Sequence, residues 1–311
     1  MGLLGSITTF LLAAITPPTP CPFESQYRWL AHPSNIPTSV LPPNPTLPNS
    51  TAIFDSNNRS DAYDPHIYPA FEYALLPLNT MNVFLQNTTR SSIPACKQLQ
   101  RDAINTWARR RAITGRMNPY SMLLHRITTG DIAIAYLNKT AQPTIRYDNS
   151  AWFRQLHTAM LRQPVPYANN FRIFEFRALV TTAIASNLPT ASLSRDIDRF
   201  LQSIIRNGTI TTELRGLKTI QYHVYFLNPL FDTLYILWRA VGTRTSLATQ
   251  LEAVVRTIEE MPPRTLTRLL GYQPYLAIPV TITVIRQKWN CLRLSRACAS
   301  SFAGLSSISS R

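Results

Sequence analysis

The stretch from Ser192 to Gly208 constrains the fold of this chain more than any other. Its apolar side chains recur at the spacing of one face of an α-helix, at Ile197, Phe200, Leu201, Ile204 and Ile205. Ser192 or Ser194 can cap the start, and Gly208 follows the end. Arg195 and Arg199 lie on the other face. The spacing therefore predicts a helix that buries one side and presents guanidinium groups on the other.

The same pattern predicts a mainly α-helical protein with a helical bundle as its core. One helix is predicted from Ile93-Pro94 to a point before Gly115, and another from Asn149 or Ser150 to Pro164. Three segments have the apolar alternation or aromatic runs that are typical of strands or extended chain, at residues 171–176, 220–226 and 277–285.

Proline is dense from Pro17 to about Pro77, and it interrupts both helices and strand pairing. We therefore predict an extended Pro-rich N-terminal arm over residues 1–90 and an α-helical core domain over 91–275. Residues 276–311 are predicted to form an extended segment and a disordered, basic, Ser/Arg-rich tail. The arm is also rich in aromatic residues, which indicates that it packs on another surface. A small irregular domain is the alternative.

The charge of the chain indicates a polyanionic partner. Its 311 residues carry a formal net charge of +15, from 31 Lys and Arg against 16 Asp and Glu. Of those cations 27 are arginines, whose planar donor groups match phosphate and stack on bases. Nucleic acid and anionic membrane surfaces are the partners that such a surplus favours. Genomic base composition is an alternative explanation for the arginine bias.

Catalytic and metal-binding patterns are weak in this sequence. The cysteines Cys21, Cys96, Cys291 and Cys298 match no zinc or redox spacing, and we interpret them as free thiols rather than a disulfide framework. The five histidines stand alone and are interpreted as structural. No phosphate-binding, dinucleotide-binding or nucleophile motif occurs. We therefore predict no enzymatic activity, no catalytic residues, no metal and no cofactor.

The arginines are the candidate binding residues. Arg109, Arg110 and Arg111 form a cluster at a predicted helix end, where the helix dipole also favours cations. Others are spread over three later helical segments among aromatic residues, an arrangement that suits single-stranded nucleic acid. The predicted RNA-binding set is Arg109, Arg110, Arg111, Arg154, Arg172, Arg177, Arg195 and Arg199.

Three interpretations of the apolar residues 1–15 remain open. The stretch is shorter than the roughly 20 residues of a membrane span. It has the length of a signal-peptide core without a basic start. Gly2 fits the N-myristoylation pattern and is a candidate lipidation site. Otherwise the segment is an apolar arm that packs on a neighbouring subunit or on its own core.

Five N-x-S/T triplets occur in the sequence, headed by Asn49, Asn58, Asn87, Asn138 and Asn207. A chain rich in Thr and Asn produces such triplets by chance. Asn207 is moreover assigned to the cap of the predicted helix 192–208. The triplets therefore do not by themselves indicate glycosylation, and their use is left open.

A run of elements between Ser150 and Asn207 resembles the coat proteins of rod-shaped plant viruses of the tobamovirus type. The run comprises a helix at 152–162, a proline-rich turn at 164–166, an aromatic and basic segment at 171–177, a second helix ending at Asn187, and Arg195-Asp196-Ile197-Asp198 opening a long helix. The resemblance implies that Arg172, Arg177 and Arg195 contact RNA, with Asp196 and Asp198 as their partners.

We therefore expect a viral structural protein that binds single-stranded RNA through arginines and assembles with copies of itself. Such a coat or nucleocapsid protein would be found in the virion and the host cytoplasm. The alternative is a membrane-associated or secreted protein. It would be directed by residues 1–15, as a signal or a myristoyl anchor, and its basic surface would face lipid.

Overall fold

A computed structural model describes residues 19–39, 68–115, 117, 119–140, 149–214, 219–260 and 282–294. These residues are mainly α-helical, which confirms the predicted fold class. The helices are α1 (Glu24–Ala31), α2 (Tyr68–Arg90), α3 (Pro94–Arg109), α4 (Pro119–Thr140), α5 (Ser150–Arg162), α6 (Asn170–Ala185), α7 (Ala191–Ile204), α8 (Thr219–Val241), α9 (Ala248–Glu260) and α10 (Ile282–Leu294). The two short strands β1 (Ile205–Arg206) and β2 (Thr209–Ile210) form a hairpin.

Helix α6 is the centre of the bundle, and α4, α5, α7 and α8 all pack against it. Most of its side chains are buried, among them Ile173, Leu179 and Val180. Its start is capped by Asn169, whose Oδ1 accepts a hydrogen bond of 3.0 Å from the Phe171 amide. The extended segment predicted at residues 171–176 is wrong. A helix that is buried on most sides shows no single-face pattern, so its aromatic run had the signature of a strand.

The strand predicted at residues 220–226 is also a helix, as part of α8. Val224, Phe226 and Leu227 are all buried, so the local alternation of the sequence does not mark an exposed and a buried face. Pro229 lies inside this helix, although proline removes one helical hydrogen bond. Extensive burial on both sides of the proline compensates for that loss.

Helix α7 buries the predicted apolar face, with Leu193, Ile197, Leu201 and Ile204 inside. It ends three residues before the predicted end, because the chain turns into the β1–β2 hairpin. Asp198 on this helix holds the start of α9: its carboxylate accepts hydrogen bonds from Thr245 Oγ1 at 2.8 Å and from Ser246 Oγ at 2.7 Å.

The described parts of residues 1–90 do not form an extended arm. Helix α1 packs on α3, and Trp107 Nε1 donates to the Leu30 carbonyl at 3.3 Å. Helix α2 continues through Pro77 and packs on α4. The aromatic residues of the segment explain the difference, since rings such as Tyr27 pack against the bundle core. Residues 1–18 and 40–67 lie outside the described residues.

At the other end of the chain, residues 282–294 form helix α10 rather than the predicted extended segment. Arg286 pairs with Glu252 and Glu259 of α9, and Lys288 Nζ lies 2.6 Å from Asp232 Oδ1 of α8. These ion pairs and the buried Trp289 attach the helix to the bundle. Residues 276–281 and 295–311 lie outside the described residues.

The interpretation of the cysteines as free thiols is wrong for the described part of the chain. Cys21 and Cys96 form a disulfide across 75 residues of sequence, and it joins the segment before α1 to the start of α3. Cys291 is also disulfide-bonded, to a partner outside the described residues. Sequence spacing did not reveal the first pair because it depends on tertiary packing.

Candidate anion-binding loop

Three consecutive predicted arginines lie at the end of α3, in residues 109–115, which we call the arginine loop. The side chains of Arg109, Arg110 and Arg111 are exposed. The next two residues, Ala112 and Ile113, are fully buried. The loop therefore anchors its apolar half in the bundle and presents three guanidinium groups to solvent.

The backbone of this loop is strained. Arg111 has φ 50° and Ile113 has φ 54°, both in the left-handed region that favours glycine. For a β-branched residue such as isoleucine this conformation is an outlier, and it costs on the order of 1 to 3 kcal/mol. Such strain persists only where surrounding contacts impose it, and it is concentrated at functional sites.

Hydrogen bonds with two separate parts of the chain impose the loop conformation. The amides of Ile113 and Gly115 donate to the carbonyls of Pro37 and Thr38, at 2.7 and 2.9 Å. Trp152 Nε1 of α5 donates to the Ala112 carbonyl at 3.0 Å. These contacts hold the three arginines on a rigid backbone, which reduces the entropy lost when a ligand binds.

Beneath the loop, a buried polar network leads into the core of the bundle. His125 Nε2 lies 2.8 Å from the Ile113 carbonyl, so this nitrogen carries the hydrogen and donates it. The other ring nitrogen then accepts from Arg126 Nη1 at 3.1 Å. Both side chains are completely buried on α4. The imidazole therefore connects the strained loop to the charge of Arg126.

Arg126 is paired with Glu175, which is 1 % exposed on the central helix α6. Nη2 of Arg126 donates to Glu175 Oε1 at 3.3 Å and to the Gln163 carbonyl at 2.5 Å. The same carboxylate oxygen accepts from the Val165 amide at 2.9 Å. Burial lowers the pKa of Arg126 to about 10, against the opposing effect of Glu175, so the guanidinium remains charged at neutral pH.

The environment of His125 makes the stability of the protein depend on pH. Burial lowers the pKa of His125 from 6.5 to about 3; the nearby charge of Arg126 adds to this effect, and the hydrogen bond to Ile113 opposes it. Between those two values the unfolded chain binds a proton that the native state excludes. The stability contribution is therefore complete above pH 6.5 and is lost as the pH falls towards 3.

Lowering the pH from 7 to 4.5 should reduce the free energy of unfolding of wild type by roughly 3 kcal/mol through His125. The loss accumulates over the two pH units below 6.5, at about 1.4 kcal/mol each. Urea unfolding of wild type and His125→Gln at both pH values measures this cost as the difference between their pH dependences. Glutamine is the control because it is neutral and can both donate and accept. Equal losses of unfolding free energy in the two proteins would contradict the lowered pKa of His125.

The other predicted RNA-binding arginines fall into two groups. Arg154 and Arg195 are exposed, and the exposed Arg199 pairs with Asp196 at 3.1 Å. Arg154 lies on α5, two residues after Trp152, whose side chain donates a hydrogen bond to the arginine loop. Arg172 and Arg177 are instead engaged in ion pairs with Glu175 and with Asp131. They lie on the central helix, which has little exposed surface.

Arg177 belongs to a second buried charge cluster. Its Nη2 lies 2.6 Å from Asp131 Oδ1. Burial opposes the charge of Arg177, but Asp131 and Asp232 outweigh this effect and raise its pKa. A Cβ atom at Gly130 would lie 3.2 Å from the Arg177 guanidinium, so glycine allows the arginine to approach α4 closely. The cluster thereby stabilises the contact between α4 and α6.

Sequence reasoning missed His125, Arg126 and Glu175 as a connected group. His125, His157 and His223, which the sequence predicted to be structural, are all buried. The only sequence feature that could have indicated a buried Arg126 is its position as a charged residue within an apolar helical segment. Its partner is 49 residues away, and no local spacing connects the two.

No protein-family model matches this chain, and a search of curated proteins finds no similar sequence. Among the described helices, none combines the length and hydropathy that crossing a membrane requires. In the described part of the chain, no group of three or more His, Cys, Asp or Glu side chains is arranged to bind a metal ion.

Proposed function

We propose that this chain is a secreted or membrane-associated protein that binds anionic lipid through its arginine loop. The observation that carries the proposal is the disulfide between Cys21 and Cys96, together with the bonded state of Cys291. Disulfides form and persist in oxidising environments and are rare in the cytosol. Of the three interpretations of residues 1–15, this favours the signal over a cytosolic myristoyl anchor at Gly2.

A second exposed surface, on α5, also favours lipid as the anionic partner. Each arginine near an anionic membrane contributes about 1 kcal/mol of attraction. Arg154 and Leu161 are both exposed on α5, seven residues apart and therefore on one face of that helix. Leu161 is 57 % exposed, and an apolar side chain among cations is typical of a surface that enters the headgroup region.

The second candidate is the RNA-binding coat protein, self-assembled in a virion. It is favoured by the exposure of six predicted arginines, Arg109, Arg110, Arg111, Arg154, Arg195 and Arg199. Disulfides also occur on virion surfaces, so the two candidates share that feature. The ion pairs of Arg172 and Arg177 weaken this candidate, because those side chains were two of the three contacts that the coat-protein resemblance implied.

Binding of the oxidised full-length chain to vesicles and to RNA separates the two candidates. We expect binding to phosphatidylserine vesicles, little binding to phosphatidylcholine vesicles, and weaker binding to a labelled single-stranded RNA at the same salt concentration. Replacing Arg109, Arg110 and Arg111 together with Gln should weaken vesicle binding roughly a hundredfold, at about 1 kcal/mol per charge.

A matched control removes the same charge elsewhere. Arg244, Arg256 and Arg293 are also exposed, and none belongs to the arginine loop. Their triple replacement with Gln should reduce binding much less. Equal losses in the two triple variants would show that only net charge matters. RNA binding tighter than vesicle binding, with regular particles in electron micrographs, would reject the lipid proposal in favour of the coat protein.

A further inference from the structure

The tip of the β1–β2 hairpin consists of Asn207 and Gly208 and is followed by Thr209. The φ angles of the two tip residues are 49° and 71°, as a two-residue hairpin turn with both central residues left-handed requires. Asn207 is exposed and lies in this turn rather than in a helix cap. The three residues form an N-x-S/T triplet, and the structure thus places its asparagine at an accessible tip.

The hairpin is held against the bundle at Gly208 and at Ile210. A Cβ atom at Gly208 would lie 2.8 Å from Thr257 Oγ1 and 3.3 Å from the Ala253 carbonyl, both on α9. The Ile210 amide donates to Nε2 of the buried His223 at 3.0 Å. The backbone of the tip is therefore fixed at Gly208, and a large group attached to Asn207 would extend into solvent without displacing packed atoms.

The triplet at Asn87 has a different environment. Asn87 is half-buried on α2, and the next residue, Thr88, is completely buried. Thr89 Oγ1 accepts a hydrogen bond of 2.6 Å from Gln100 of α3. A glycan at Asn87 would therefore attach beside the packed contact between α2 and α3. Asn138 also lies within a helix, α4, whereas Asn49 and Asn58 lie outside the described residues.

We propose that Asn207 carries an N-linked glycan, a modification that rests on the proposed passage of the chain through the secretory pathway. The donor is a lipid-linked diphospho-oligosaccharide. The Asn207 side-chain nitrogen forms a bond to the anomeric carbon, while the bond from that carbon to the diphosphate oxygen breaks. The lipid diphosphate leaves with the electron pair, and the amide loses one proton. Thr209 supplies the hydroxyl that the triplet requires.

The test expresses the full chain in eukaryotic cells, once unaltered and once behind a strong cleavable leader. Enzymatic removal of an N-glycan converts its asparagine to aspartate, and peptide mass spectrometry identifies the position. We expect conversion at Asn207 in both proteins. Asn207→Gln should lower the intact mass by one glycan and Thr209→Val should do the same, whereas Thr209→Ser should retain the glycan. Asn87→Gln is the matched control and should leave the Asn207 glycan in place.

Comparing the unaltered chain with the leader-directed chain separates failure of this inference from failure of the proposed function. An unmodified Asn207 in the leader-directed protein with its disulfide formed would overturn the inference and leave the proposed function intact. A glycan in the leader-directed protein alone, with reduced cysteines in the unaltered chain, would reject the secretory proposal and with it the modification of the native protein.

Discussion

Replacing Glu175 with glutamine should lower the free energy of unfolding by roughly 3 to 5 kcal/mol, although the side chain keeps its size. The carboxylate balances the charge of Arg126, which has no exposed surface. Removing one partner of a buried ion pair leaves an uncompensated charge in the core, and that desolvation cost sets the size of the effect. Glutamine has nearly the same volume as glutamate, so lost packing contributes little. Its side-chain oxygen can still accept the hydrogen bond from the Val165 amide.

Arg172→Gln is the matched control, because Arg172 also contacts Glu175 but its side chain is 28 % exposed. We expect this variant to lose at most about 1 kcal/mol, the upper range of a solvent-exposed pair. Urea unfolding at pH 7 measures both variants. Similar losses would show that Glu175 is not coupled mainly to Arg126. The double variant Arg126→Met/Glu175→Leu should recover much of the stability, since apolar replacements of buried pairs are often tolerated.

The helical class of the protein was predictable from the sequence because amphipathic helices reveal themselves by spacing. Helices α3, α5 and α7 each bury one face, and their apolar periodicity indicated all three. The central helices α6 and α8 are buried on most sides, so their sequences lack that contrast and were interpreted partly as strands. The residues that contribute most to the core thus gave the weakest periodic signal.

The candidate site was predictable only in part. The run Arg109-Arg110-Arg111 marks the exposed half of the loop in the sequence itself. What holds it in place comes from distant segments, including Pro37 and Trp152, and no spacing rule connects them. The Asn-Gly dipeptide at 207–208 is a strong hairpin signal, but the apolar spacing that extends to Ile205 favoured a longer helix. Local patterns compete at such a boundary, and tertiary contacts decide it.

Replacing Cys21 and Cys96 together with serine should lower the free energy of unfolding by roughly 4 kcal/mol, on the loop-entropy model for a closure of this length. The bond spans 75 residues, so without it the unfolded chain gains considerable conformational freedom. Denaturant unfolding of the variant and of oxidised wild type measures the difference. Because reduction also opens the disulfide of Cys291, the control compares chemically reduced wild type with the equally reduced double variant, which should have similar stability.

The double serine variant should also release the arginine loop before the rest of the bundle opens. The disulfide attaches residues 19–39 to α3, and within that segment Pro37 and Thr38 accept the hydrogen bonds of the Ile113 and Gly115 amides. Segments with few remaining attachments open locally at lower free energy than the core. We therefore expect amide hydrogen exchange at Ile113 and Gly115 to accelerate far more than exchange within α6. Unchanged protection of these two amides would mean that packing of α1 on α3 alone holds the segment. In that case the hydrogen bonds to the Pro37 and Thr38 carbonyls would still hold the loop without the disulfide, and vesicle binding should persist in the variant.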